Sequence, residues 1–186
     1  DIIRKLIRGR NIKKWISYDI EQYIVLTKNW DMIEKYPAIL NHLSKYEKEL
    51  KNRAQFKRGD HPWFTIDNCP DKKAINLLEQ EKIIYPIISE SNKFSFDTSG
   101  SIINDKCFAM GTKNLYILAI LNSKISEFYL KNFLLSTLGK TGAEYKKEQL
   151  QHLPIIMIPE FQQKPFVEIV DKILAITKSD DYLTDS

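Results

Sequence analysis

The chain has 186 residues, 43% of them apolar and 11% aromatic, which is enough to bury one core and argues against a disordered chain. Its 28 basic and 24 acidic residues leave a formal charge of +4, too small a surplus to identify a partner by itself. The longest apolar run, Leu115 to Leu121, is far short of the roughly 20 residues a membrane-crossing helix needs. Cys69 and Cys107 lack the spacing of a zinc site or a disulfide framework, so a soluble, cytoplasmic chain with no membrane partner is expected. It starts at Asp1 with no Met and reads as a fragment of a larger protein.

In the first thirty residues, short apolar clusters (Ile2-Ile3, Leu6-Ile7, Trp15-Ile16, Tyr23 to Leu26) alternate with basic and turn residues, predicting two or three strands. Asp31 and Glu34 form a capping-box-like start, and Pro37 suits a first helical turn. Tyr36, Ile39, Leu40, Leu43, Tyr46 and Leu50 then recur on one stripe, predicting a helix to about Arg53. Trp63, Phe64 and Ile66 suggest a short strand between loops, and a short helix is expected from Lys72 to Glu81. Ile83 to Ile88 reads as a strand that Pro86 demotes to an edge or a bulge.

Phe94 to Asp97 and Cys107 to Met110 are further strands, and a buried helix follows with Leu118, Leu121, Ile125 and Phe128 on one face. Leu138 to Ala143, with two glycines, reads as a flexible loop, and Tyr145-Lys146-Lys147 opens a short helix. A final helix is predicted from Pro165, with Phe166, Ile169, Val170, Ile173 and Leu174 as its stripe. The expected fold class is mixed α+β: a small, mostly antiparallel sheet of short strands flanked by helices, with a helical C-terminal part.

The chemistry-bearing signals are sparse. The sequence has no phosphate-binding glycine loop, nucleophile elbow or His-Glu-x-x-His motif. It also has no Asn-Pro-Pro-Tyr or Asp-Pro-Pro-Tyr to hold a flipped adenine, and no catalytic residue and no metal site are assigned. Three basic clusters interleaved with aromatics and turns remain: Arg8, Arg10, Lys13 and Lys14; Lys57 and Arg58 with His61; and Lys140 with Tyr145, Lys146 and Lys147. Brought together they would grip phosphates, because Arg and Lys displace condensed counterions. Gly9 between two arginines allows a close backbone approach.

Leu6 to Ile12, Tyr36-Pro37-Ala38-Ile39, Leu50 to Arg53, Pro62-Trp63-Phe64, Lys82 to Pro86, Phe94 to Asp97, Leu121-Asn122-Ser123, Tyr145-Lys146-Lys147 and Leu153-Pro154-Ile155 occur in this order. The series resembles the landmarks of the TaqI-like specificity domain of adenine-specific DNA methyltransferases and their fused restriction enzymes. The resemblance implies a target-recognition domain over residues 1–158 and a C-terminal helix with an acidic tail over 159–186. A methyltransferase domain N-terminal to this fragment would carry S-adenosylmethionine, and a magnesium ion where the parent also cuts, leaving the fragment with no cofactor and no activity of its own. The implied partners are double-stranded DNA and that methyltransferase domain, with the basic residues above as the DNA contacts. Leu121-Asn122-Ser123 is assigned to packing and a helix bend.

Two other functions are expected to leave marks in the structure. A protein-interaction module would expose the apolar stripe of the 165–177 helix. A metal-dependent nuclease would use Asp71, Glu144 and Lys146, with carboxylates converging in a cleft.

Overall fold

Nine short strands and eight α-helices form among residues 2–18, 21–28, 33–140 and 142–177, which the computed structural model describes. The Asp31 cap and the acidic tail lie outside these residues. The chain divides into two units, residues 2–4 with 23–76 and residues 5–22 with 77–177. The C-terminal helix packs within the second unit.

In the first unit, β2 (Tyr23–Val25) runs beside the start of β1 (Ile3–Ile7), and Leu26 donates to the Ile2 carbonyl at 2.7 Å. The predicted single helix is three: α1 (Pro37–Ser44), α2 (Glu47–Lys51) and α3 (Ala54–Lys57). Pro37 opens α1 as expected. The stripe breaks at Lys45-Tyr46, where the bonds shorten to three-residue spacing and Tyr46 leaves the helical region at φ −114°. The second break has a side-chain cause. Arg53 is extended, and its guanidinium donates to the carbonyls of Trp63 and Thr65, each at 2.7 Å, and pairs with Asp67 at 3.1 Å.

The same clamp explains why Trp63, Phe64 and Ile66 form no strand. Their segment spends its carbonyls on Arg53 and on the Thr27 hydroxyl, which donates to Phe64 at 2.5 Å. A loop with its acceptors occupied in this way has no ladder to offer a neighbouring strand. Asp71 then caps α4 (Lys72–Glu79), its carboxylate accepting from Ala74 N–H at 2.7 Å.

In the second unit the end of β1 pairs in parallel with β6 (Ile102–Ile103). A second sheet, ordered β5-β3-β7, is antiparallel and consists of β3 (Lys82–Pro86), β5 (Ser95–Asp97) and β7 (Cys107–Met110). Contrary to the expected edge position, β3 is the central strand and all five of its residues are buried. Pro86 is tolerated because it ends the strand. The chain bends at Ile87, which donates to Lys106 at 2.9 Å, and enters β4 (Ile88–Ser89).

The supposed loop at Leu138 to Ala143 is a hairpin, β8 (Ser136–Leu138) and β9 (Gly142–Glu144), and with β4 it forms a third sheet, β4-β9-β8. Gly139 turns at φ 62°, and a Cβ on Gly142 would meet the Leu138 carbonyl at 2.8 Å. Both glycines therefore serve the turn. The fold is mixed as expected, but its strands are shared among three small sheets, one of which contains the parallel pair.

The predicted buried helix is also interrupted, into α5 (Leu115–Leu121) and α6 (Lys124–Tyr129), which runs on into a π-helical turn at Leu130–Leu134. The break lies at Asn122-Ser123. Asn122 both donates to and accepts from the Phe94 backbone, at 2.8 and 3.2 Å, while Ser123 caps α6 by accepting from Ser126 N–H at 3.1 Å. This is the packing and bending role read from the sequence. The break rephases the helix: Leu118 and Leu121 are buried, but Ile125 is 81% exposed and Phe128 63%.

α7 (Lys147–Leu150) follows, and α8 (Glu160–Thr177) starts five residues before the predicted Pro165. Pro165 lies inside α8, where it forgoes one backbone bond. α8 packs on α5, with Val170 buried and Tyr116 edge-on to Phe166 at 5.3 Å.

Ile83, Tyr85, Phe94, Leu118, Leu130, Tyr145 and Val170 are among the core residues of this unit. Beside them lies a buried ion pair, Lys82 with Asp97, register partners on β3 and β5. Lys82 also donates to the Leu78 carbonyl at 2.6 Å, and Ser99 donates to Asp97 through its amide at 3.0 Å and its hydroxyl at 2.5 Å.

Candidate functional site

Gly9–Asn11 forms a single 3-10 turn after β1. Asn11 is buried and its side-chain oxygen accepts from Arg8 N–H at 3.2 Å, which fixes the turn from within. A Cβ on Gly9 would stand 3.1 Å from the Lys106 carbonyl and 3.5 Å from Pro86, so the absence of a side chain lets this turn sit against the β6–β7 connection. Gly9→Ala is expected to cost about 1–3 kcal/mol through forced displacement. Thermal unfolding would read this as a loss of about 2–4 °C per kcal/mol, and an unchanged midpoint would contradict the contact.

That approach builds a groove of about 580 Å³. Its apolar lining is Ile12, Pro86, Ile87 and Ile88, and its charged lining is Arg10, Lys93, Lys106 and a carboxylate, Glu144. Arg10 and Lys106 are exposed and Lys93 is half-buried. Asp105, 2.8 Å from Lys106, raises that ammonium's pKa and secures its charge. Glu144 is paired with Lys146 at 2.9 Å. Cys107, just after Lys106, is buried, and desolvation pushes its thiol up to about 12, so it is protonated at neutral pH.

Two of the three basic clusters read from the sequence lie in this unit. The groove joins Arg10 of the first to Glu144, and through it to Lys146 of the other. Arg8 is half-buried at the foot of the turn, and Lys147 and Lys140 are exposed on α7 and at the β8–β9 tip. Lys13 lies over the Tyr18 ring at 5.7 Å and Lys14 over Trp15 at 5.8 Å. Trp15 adopts φ 77°, a strained value for its type, and is held there because its N–H donates to Phe94 at 3.0 Å and its carbonyl accepts from Phe96 at 3.3 Å.

The remaining cluster belongs to the other unit and is largely satisfied locally. Lys57 donates to Asn52, and Arg58 pairs with Asp60 at 2.8 Å.

Two expected DNA contacts need correction. Tyr145 is 1% exposed, its hydroxyl donates to Asn92 at 2.9 Å, and burial raises its pKa; it is a core anchor that a duplex cannot touch. His61 is 9% exposed, with its ring nitrogens at the Pro62 carbonyl and the Asp67 carboxylate. Lys93 and Lys106 line the groove with Arg10 although each stands alone in its sequence segment, so clustering in the sequence does not report them.

Among the described residues no three His, Cys, Asp or Glu side chains are placed to hold a metal ion. Asp71 caps α4 and Glu144 pairs with Lys146. On α8 the predicted stripe is divided between core and surface, with Ile169 57% and Phe166 42% exposed but Val170 buried, and outside the stripe Phe161 is 75% and Ile176 64% exposed. No helix among the described residues is long and apolar enough to cross a membrane.

With the strand order, the buried Lys82–Asp97 pair and the Asn122 break in place, the sequence landmarks acquire structural roles, and they match a known family model over residues 4–155. The chain belongs to the TaqI-like C-terminal specificity domain family. It is 24% identical over 188 residues to the Type II methyltransferase M.MjaIV of Methanocaldococcus jannaschii, an alignment covering 95% of this chain and 59% of that protein. The fold is shared with the Type IIL restriction-modification enzyme MmeI, solved in complex with DNA, at a TM-score of 0.63 and 16% identity, over 94% of this chain and 23% of that one. The chain thus spans less than two thirds of the length of either protein.

Proposed function

We propose that this chain recognises double-stranded DNA in a sequence-specific manner, as the specificity domain of a cytoplasmic restriction-modification protein that methylates adenine at N6. The observation that carries the proposal is the groove in which Arg10, Lys93 and Lys106 meet on a specificity-domain fold. Methyl transfer, and any cleavage, belong to a domain N-terminal to these residues, which would supply S-adenosylmethionine. No step of that chemistry is assigned to the chain described here, whose sequence has neither an adenine-binding Asn-Pro-Pro-Tyr nor a glycine-rich cofactor loop. Its part would be to hold the duplex while a base leaves the stack, a step costing a few kcal/mol that contacts elsewhere must offset.

In this reading Arg10, Lys93, Lys106, Lys140 and Lys147 hold phosphates or base edges, Lys146 acts through its ion pair with Glu144, and Arg8, Lys13 and Lys14 add phosphate contacts, while Lys57 and Arg58, in the other unit and held by Asn52 and Asp60, are left out. Tyr145 and His61 leave the set because they are buried. Six of these side chains neutralising phosphates would give a log-log salt slope of about −5. Duplex binding followed across a salt series tests this; a flat dependence, or no binding at low salt, would reject it.

A second reading rests on the exposed Phe161, Ile169 and Ile176 of α8, a surface for a protein partner. Substitution of all three by Ser would leave DNA binding intact and abolish an association measured by sedimentation.

A further inference from the structure

The groove contains one residue that phosphate binding does not explain. Glu144 lines it together with Arg10, Lys93 and Lys106, and a carboxylate facing a polyanion is repelled. A duplex offers a carboxylate attractive partners only at its base edges, where cytosine N4 and adenine N6 carry N–H groups in the major groove.

The position of Glu144 suits such a contact. It sits on β9, the middle strand of its sheet, directly opposite Ile88 of β4 on one side and Ser136 of β8 on the other. Side chains directly opposite one another share a sheet face, and in the next row Ser89 and Ala143 are buried, with Thr137 exposed on the edge strand. The Ile88–Glu144–Ser136 row therefore faces outward, with Ile88 58% exposed. Lys146 holds the Glu144 Oε2 at 2.9 Å, which fixes the carboxylate and leaves Oε1 to accept. Strands spaced about 4.8 Å apart carry the three side chains over roughly 10 Å, about three base-pair steps of about 3.4 Å.

Resting on the DNA-recognition reading above, we infer that this row reads base edges and that Glu144 determines specificity by accepting from the amino group of a cytosine. Ile88 beside it meets a thymine methyl, an apolar contact of the kind that distinguishes thymine. Lys146 is a positioning residue, acting through the carboxylate.

The test is selection of bound duplexes from a randomised pool by the full chain and by Glu144→Gln, with thermal unfolding as a control for folding. Gln pairs with adenine through N6 and N7, so Glu144→Gln should change the selected base at one position from cytosine to adenine, on the order of tenfold in relative affinity. If Glu144→Gln selects the same sequence as wild type, bound equally or more tightly, Glu144 is merely an ion-pair partner and the inference is overturned. Should Glu144→Gln not fold, Ile88→Ala, at an exposed position, tests the same row: loss of a thymine preference supports it, and an unchanged sequence overturns it. A wild-type chain that binds duplex without sequence preference, or not at all, overturns the DNA-recognition reading itself. That outcome is distinct from a specific wild type whose variants keep its sequence.

Discussion

Lys82→Met is expected to destabilise the fold by about 3–5 kcal/mol, because it strands the Asp97 carboxylate in a buried site. Ser99 alone, donating through its amide and hydroxyl, does not neutralise that charge. For a chain of this size the loss corresponds to a fall of about 6–20 °C in the melting temperature, measurable by circular dichroism. Replacing both partners by apolar residues, Lys82→Met with Asp97→Leu, should recover much of the loss, since an apolar pair carries no desolvation cost. A single variant that melts within a degree of wild type would show that the pair contributes nothing.

The largest effect on binding is expected from Arg10→Ala, Lys93→Ala and Lys106→Ala combined. Each phosphate contact removed lowers the salt slope by about 0.9, so the triple variant should lose close to three units of slope. At physiological ionic strength that corresponds to about a hundredfold weaker duplex binding. Because two of the three side chains are exposed and the third half-buried, the melting temperature should be unchanged. A triple variant that kept both slope and affinity would show that the groove is not where phosphates sit.

Much of the molecule was legible in the sequence where local pattern and tertiary demand agree. Pro37 starts α1 and Asn122 and Ser123 break a helix, because each is a backbone matter settled by its own chemistry, whereas the close approach that Gly9 allows is made by this chain's own Lys106 carbonyl. The errors share one cause. Arg53 ended a helix and suppressed a strand through hydrogen bonds to residues ten and twelve positions away, which no periodicity reports. The β8–β9 hairpin was missed because Ser-Thr-Leu and Gly-Ala-Glu lack the β-branched alternation of a strand, and its pairing with β4 comes from distant chain. At the site, clustering in sequence led to Tyr145 and His61, both buried, whereas the groove was assembled from isolated residues, Lys93 and Lys106.

Along β9 and just beyond it the chain alternates strictly: Ala143 inward, Glu144 outward, Tyr145 inward to Asn92. Adding or deleting one residue there would exchange the two sides, driving a carboxylate into the core and expelling the phenol that anchors it. Insertions and deletions in this hairpin are therefore expected to be tolerated at the tip around Gly139 and not along β9. By contrast, a change of residue type at 144 alters the surface without disturbing what lies beneath, so this position can take on new chemistry while the scaffold is left alone.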